Sequence, residues 1–468
     1  MKKDQLSRRQ FLRYAGLVSL GFSGLQSFAC NSPMAIATPE PFRKRGYGPL
    51  HNDRDGIMNL PKRFTYKIIS EQGMTMDDGF LLPGKPDGMA TFMGPKGSTI
   101  VVRNHEVSPE MRELGPFGDG YKLLSKLAKN EMYDMGRREL PCLGGTTTFV
   151  YNTKENKIEK QFLSLAGTTR NCAGGPTPWN TWISCEETVD RAGMRLEKDH
   201  GYPFEVPATA DIFLADPIPL KDMGRFQHEA VGVDPRTSIV YQTEDRNDGV
   251  LYRFLPAQAG KLHNGGKLQA LKLRDYDSWD TRNWEGMDSP KVEPGVKYAV
   301  EWIDLDGIDS PYDDLRYRAY EAGAARFARG EGVWFGDGEC FFACTSGGKD
   351  KTGQIFRYIP SRYEGDSREL AEPGILELFV EPNNTRLVEN CDNLTMSPKG
   401  DLVVCEDKEN PRVIGITPDG HFYVIAENVG YPSEFAGATF SPDGSTLFVN
   451  IQHAGLTLAI QGPWMDRA

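Results

Sequence analysis

Residues 392–407, with the sequence DNLTMSPKGDLVVCED, contain the unit that decides the fold. An acidic residue is followed by an apolar stretch, a Pro-Lys-Gly turn, a second apolar stretch and an acidic pair. Turn residues between two strand-forming runs predict a β-hairpin. The unit recurs along the chain, and its copies are residues 87–106, 172–187, 229–245, 331–347, 392–407 and 434–453.

Further strands are predicted after several of these hairpins. Residues 249–256 (GVLYRFLP) and 353–360 (GQIFRYIP) match each other closely, and residues 411–427 supply another pair. A hairpin and two outer strands make a four-stranded blade, so the sequence predicts an all-β, six-bladed β-propeller. The alternative is a β-sandwich whose hairpins resemble one another by accident. Residues 115–140 and 260–326 are predicted to be long inserted loops with a few short helices, which cover the functional face.

The N-terminus carries an export signal. Residues 7–12 (SRRQFL) form a twin-arginine motif, and a moderately apolar stretch follows from residue 14 to residue 29. Residues 1–37 are therefore predicted to be a signal peptide read by the twin-arginine translocase, and residues 38–468 to be a single catalytic propeller domain. Cleavage before Cys30 would leave a lipid-anchored protein, whereas cleavage after Ala37 would not; the sequence leaves both open. The predicted location is the periplasm or the outside of the cell.

The amino-acid composition limits the kinds of partner that the protein can bind. The 468 residues include 50 glycines and 31 prolines, as expected for many short strands joined by turns. The net charge of −11 argues against nucleic acid as a partner, because binding to a phosphate backbone requires a basic surface. After the leader no apolar run is long enough for a transmembrane helix. A closed propeller has no free sheet edge, so a monomer is expected.

A ring of carboxylates is predicted at the centre. If the first strand of each hairpin is innermost, the residues that begin those strands surround one channel mouth. Like charges so close repel one another strongly, and bound cations would relieve the repulsion. One thiolate among carboxylates favours a transition metal beside calcium. The first strands begin with Asp87, Cys172, Glu229, Glu331, Asp392 and Glu434, and the second strands end in Glu106, Glu186-Glu187, Glu244-Asp245 and Glu406-Asp407.

Seven short motifs resemble those of one enzyme family, the PhoX-type alkaline phosphatases. They are NCAGG (171–175) with TPW (177–179) and CEE (185–187), GRFQHE (224–229), TEDR (243–246), RGEG (329–332) and DNL (392–394). The resemblance runs in order from about residue 45 to the end of the chain. It implies a propeller that hydrolyses phosphate monoesters, with two Fe³⁺ and two to three Ca²⁺ ions in its central channel. A phosphodiesterase side activity stays open.

Site residues are carried over from this resemblance position by position. The implied iron ligands are Cys172, Glu229 and Glu331. The implied calcium or bridging ligands are Glu106, Glu186, Glu187, Glu244, Asp392 and Glu406. Arg329 would bind the phosphate of the substrate, and Arg329, Cys172 and Glu331 form the implied catalytic set. One departure from the pattern is Asn180, which stands where a glycine is expected in a turn.

Two other classes of function fit a six-bladed propeller. One is a calcium-dependent lactonase or esterase, and the other is a non-catalytic scaffold that binds proteins or glycans. The thiol of Cys172 argues against the first, because a site for calcium alone gains nothing from a thiolate. The cation of Arg329 argues against the second, since a cation beside a carboxylate ring suits a bound anion.

Overall fold

The computed structural model describes residues 46–466, and these residues form 26 β-strands. The predicted signal peptide, with Cys30, lies outside the described residues. None of the helices in residues 46–466 has the length and apolar character needed to cross a membrane.

The strands form five hydrogen-bonded sheets. In spatial order, a four-stranded sheet consists of β4 (Pro86–Met93), β5 (Thr99–His105), β6 (Gly144–Asn152) and β7 (Lys157–Thr168). A three-stranded sheet consists of β10 (Pro203–Pro207), β9 (Thr181–Glu186) and β8 (Asn171–Pro176). A nine-stranded sheet consists of β11 (His228–Val233), β12 (Val240–Glu244), β13 (Tyr252–Pro256), β14 (Gly266–Leu273), β15 (Lys297–Asp304), β19 (Ile375–Val380), β18 (Gln354–Ile359), β17 (Glu339–Cys344) and β16 (Gly330–Gly336).

The other two sheets use strands from both ends of the described chain. The six-stranded sheet consists of β1 (Leu50–His51), β2 (Met58–Pro61), β23 (Phe422–Asn428), β22 (Arg412–Ile416), β21 (Leu402–Glu406) and β20 (Cys391–Met396). The last sheet consists of β24 (Phe435–Phe440), β25 (Thr446–Ile451), β26 (Leu456–Gln461) and β3 (Thr65–Glu71). In this last sheet β3 pairs with β26, so an early strand completes the last sheet.

The six predicted hairpins all form, and they are arranged like the blades of a propeller. The first strands of the hairpins contact one another in cyclic order: β4, β8, β11, β16, β20, β24 and again β4. Apolar side chains fill the space between each neighbouring pair of hairpins, as when Tyr241 of β12 packs in one cluster with Phe342 of β17. All six first strands also line a small cavity at the centre. The all-β prediction is thus confirmed, while the sheets number five because β15 joins two of the predicted blades.

The two long segments that were predicted to be loops differ in secondary structure. Residues 115–140 contain only short 3₁₀ helices, namely Asp119–Lys126, Lys129–Glu131 and Gly136–Arg138. Residues 260–326 contain α1 (Leu315–Glu321), the one α-helix in the described part of the chain, and a 3₁₀ turn, Leu262–Asn264. They also hold β14 and β15, so the prediction of a loop was wrong for these two strands. The remaining 3₁₀ turns are Pro95–Gly97, Arg112–Leu114, Lys221–Met223 and Ser367–Leu370.

Asn180 explains how the second hairpin turns without glycine. Its φ of 62° lies in the left-handed region. Asparagine tolerates this region better than most other non-glycine residues, because its short polar side chain can bond locally. The departure from the expected glycine is therefore conservative.

Candidate metal centre

A β-bulge recurs at one place in all six hairpins. In the third hairpin His228 pairs with Glu244, but the next pair is Val231 with Gln242, so two residues of β11 oppose one residue of β12. The other five hairpins slip in register at the same step. Bulges re-aim side chains and are common next to functional sites.

Most of the residues that begin these bulges bring a potential metal-ligand atom close to that of another such residue. In five hairpins these residues carry an acidic or thiol side chain: Asp87, Cys172, Glu229, Glu331 and Asp392. In the sixth hairpin Gly437 occupies the position, with a φ of 65°, and the predicted Glu434 lies before the strand. The pKa of Glu434 is nevertheless raised to about 10, first by burial and then by the charges of Asp407, Asp392 and Asp87.

Two groups of potential metal ligands share one carboxylate. Ligand atoms of Cys172, Glu187 and Glu229 lie within 4.8 Å of one another, and so do those of Glu229, Glu331 and Asp392. Glu229 belongs to both groups and is only 3% exposed. We call these two groups together the central ring. A carboxylate shared in this way suits two adjacent ions.

Electrostatics supports the binding of cations here. Burial raises the pKa of Glu229 well above its usual value, and the charges of Glu331, Glu187 and Asp392 raise it further. Burial and neighbouring carboxylates likewise raise the pKa of the Cys172 thiol and of the Glu331 carboxyl. The raised pKa values favour the protonated forms of these groups, and bound cations would reverse this preference because they stabilise the ionised forms. Hard carboxylate oxygens with one soft thiolate are a donor set that fits both calcium and iron.

Glu187, which belongs to the ring, and Glu106, whose charge raises the pKa of Glu187, both follow second strands. Glu187 accepts hydrogen bonds from Arg170 at 2.5 Å and from Gln227 at 2.6 Å. Glu106 contacts Lys85 at 2.5 Å and Gln452 at 3.1 Å, and its charge raises the pKa of Asp87.

The equivalent positions in two other hairpins are held by residues outside the predicted ligand set. These are Asp245 and Asp407, whose charges both act on Glu331 and raise its pKa. More carboxylates therefore act on the ring than the sequence motifs imply.

Three predicted ligands are not brought to the ring. Glu186 accepts hydrogen bonds from the backbone amides of Thr169 and Gly201 and contacts His200 at 2.7 Å. Glu244 is bound by the hydroxyl of Tyr252 and by Arg316. Glu406 is bound by Arg412 and Lys408. The reason is the alternation of side chains along a strand, which sends neighbouring residues to opposite faces. That alternation was the signal that could have favoured Glu187, Asp245 and Asp407 over the residues before them.

Arg329 brings a cation to the edge of the ring. Its Nε donates to Asp245 Oδ1 at 2.8 Å, and its Nη2 donates to Asp245 Oδ2 at 3.1 Å and to Glu331 Oε1 at 2.7 Å. Its backbone φ is 52°, a strained value for a residue other than glycine that is often found at functional sites. The side chain keeps 31% of its surface exposed, so the guanidinium can meet a ligand that enters from solvent.

Comparisons with known proteins bear on the family and the fold of the chain. The family model described as alkaline phosphatase PhoX matches residues 45–455. The solved structure of Pseudomonas fluorescens PhoX, in complex with vanadate as a transition-state analogue, is similar in fold. It is 18% identical, covers 90% of this chain and 98% of its own, and gives a TM-score of 0.63. A gluconolactonase from Xanthomonas campestris is 10% identical over 89% of this chain and 98% of its own, with a TM-score of 0.36. No curated protein sequence matches the chain.

Proposed function

The chain belongs to the alkaline phosphatase PhoX family, and on this premise we propose that it hydrolyses phosphate monoesters at the central ring. The observation that carries the proposal is the placement of Arg329 beside Glu331, which belongs to a group of potential metal ligands. An anion drawn to this cation would lie next to the place where metal ions are expected.

The proposed cofactors are Fe³⁺, at about two ions per chain, and Ca²⁺, at roughly two to three. Cys172, Glu229 and Glu331 would hold iron. Glu106, Glu187 and Asp392 would hold calcium or bridge ions, and we add Asp245 and Asp407 because of their charge at the ring. When bound, these metal ions would act as Lewis acids that offset the charge of the phosphoryl oxygens.

The protein's own contribution is the orientation of the phosphate group. A guanidinium presents a planar fork that can bind two phosphate oxygens at once. Asp245 holds this fork through two hydrogen bonds, so Arg329 is already oriented before a substrate arrives. Preorientation of this kind lowers the barrier, because less freedom is lost in the transition state.

The architecture and location that we propose complete the assignment. Counting β11–β14 and β16–β19 as separate blades joined by β15 gives a six-bladed propeller; the cyclic contacts of the first strands support this count. We retain residues 38–468 as one catalytic domain that acts as a monomer. Residues 1–37 would direct export by the twin-arginine translocase to the periplasm or beyond, with lipidation at Cys30 open.

The test combines metal analysis with an activity assay. The purified chain should contain iron at about two per chain, and it should release phosphate from a chromogenic monoester only when calcium is present. Cys172→Ser should lose iron and activity, whereas Cys340→Ser, which alters an equally buried thiol away from the ring, should lose neither. Calcium without iron, together with lactone hydrolysis and no phosphate release, would favour the lactonase alternative instead. Release of phosphate from a diester would show the side activity.

A further inference from the structure

A third group of potential metal ligands lies apart from the central ring. It consists of Asp134, Cys142 and His200, whose ligand atoms lie within 4.8 Å of one another. Asp134 and Cys142 come from the long connection between β5 and β6, and His200 comes from the connection between β9 and β10. All three residues are completely buried. A thiol, an imidazole and a carboxylate form a donor set that zinc prefers.

The distances within this group fit one small ion. His200 Nε2 lies 3.8 Å from Cys142 Sγ and 3.4 Å from Asp134 Oδ2. Tetrahedral zinc with its usual bond lengths separates such ligand atoms by about 3.3–3.6 Å. Shifts of a few tenths of an ångström would therefore place the three atoms around one ion. The fourth position would fall to the other oxygen of Asp134 or to a water molecule.

Neighbouring groups hold His200 and Asp134 in the orientation that binding requires. Nδ1 of His200 lies 2.7 Å from Glu186 Oε1, so an Nδ1–H would donate to Glu186 and leave the Nε2 lone pair pointing at the other two ligands. A carboxylate that orients a ligating histidine is a common feature of metal sites. The carboxylate of Asp134 is fixed in turn by the backbone amides of Gly136, Glu197 and Lys198.

We propose that Asp134, Cys142 and His200 form a structural site for a zinc-class divalent ion, distinct from the central ring. Binding would displace one proton from the thiol and one from the imidazolium, so the net charge of this buried group stays the same. The ion would tie two long connections to the end of β9, which is followed directly by Glu187 of the central ring. Its role would be to fix the shape of the ring from outside, and it would take no part in the reaction.

The test uses the chain 38–468 carrying Cys172→Ser, which removes the thiol from the central ring. This protein should retain about one zinc per chain after dialysis, as a structural site would. Adding Cys142→Ser should abolish that zinc and lower the melting temperature, whereas adding Cys340→Ser should leave the zinc in place.

A second measurement works even if the Cys142 variant does not fold. Replacement of zinc by Co²⁺ in the Cys172→Ser chain should produce a near-ultraviolet thiolate-to-cobalt charge-transfer band. A folded Cys172→Ser chain with neither zinc nor this band would overturn the proposal, and His200 would then be an imidazolium paired with Asp134 and Glu186. Zinc and the cobalt band report on this site, while iron and phosphate release report on the proposed function, so the two can fail separately.

Discussion

Gly332 offers a direct test of how the central ring depends on the packing of the first strands. It follows Glu331 in the bulge of β16, and its φ lies outside the left-handed region, so alanine can adopt the same backbone. A Cβ added there would lie 2.5 Å from the Leu394 amide nitrogen and 2.6 Å from the Asp392 carbonyl oxygen. Both atoms belong to the backbone of β20, which cannot rotate away as a side chain could.

The expected size of the effect follows from these distances. Ordinary contact begins at 3.4 Å, so β16 and β20 must separate by about 3.4 − 2.5 = 0.9 Å in Gly332→Ala. Overpacking of this kind costs about 1–3 kcal/mol of unfolding free energy. Glu331 and Asp392 border the clash and share one group of potential ligands, so the shift also displaces the site. A misplacement of about 1 Å can lower the rate by about 100-fold.

The assay compares Gly332→Ala with Gly193→Ala by denaturant unfolding, iron content and turnover of a phosphate monoester. Gly193 is an exposed control, where the nearest atom to an added Cβ is 3.8 Å away. Full stability and activity in Gly332→Ala would refute the steric argument. Lost stability with full activity would refute the coupling between the packing of β16 and the ring.

Three further variants test other features. Asp245→Asn should lower kcat/KM for phosphate monoesters about 10- to 100-fold in steady-state kinetics, because a charged partner that orients Arg329 is worth about 1.5–3 kcal/mol. The control is Asp248→Asn, which should change kcat/KM little because Asp248 is paired with Arg316 instead. Arg253→Met should lower the unfolding free energy by about 3–5 kcal/mol, because the buried carboxylates of Glu364 and Glu369 lose their charged partner. An unchanged midpoint of urea unfolding would contradict this. Asn180→Ala should cost about 1–2 kcal/mol because its φ is positive, while Asn180→Gly should melt at the wild-type temperature or above.

The hairpins could be predicted from the sequence because their signal is local. Each turn and its flanking apolar runs lie within about twenty residues, as in residues 392–407. The pairing of β15 with β19 could not be predicted in this way, since residues 297–304 meet a strand that follows more than seventy residues later. Sequence spacing gives no sign of such an edge contact.

The candidate site was predictable as a set of hairpin ends but not residue by residue. Cys172, Glu229 and Glu331 could be found because the motif repeats at a constant distance from the turn. The motif does not separate Glu186 from Glu187, although the pleat of β9 sends the two side chains to opposite sides. Gly437 could not be predicted, because a bulge changes the register without changing the pattern of residue types.

The pairing of β3 with β26 determines when the last sheet of the fold can form. Residues 65–71 precede their partner, residues 456–461, by more than 380 residues, so β3 must wait until β26 has been made. Until then the sheet of β24 and β25 lacks its outer strand and the ring of first strands is open between β24 and β4. The ring of first strands therefore closes only after the sixth hairpin has formed, and the binding of metal ions to the complete ring is expected to follow that closure.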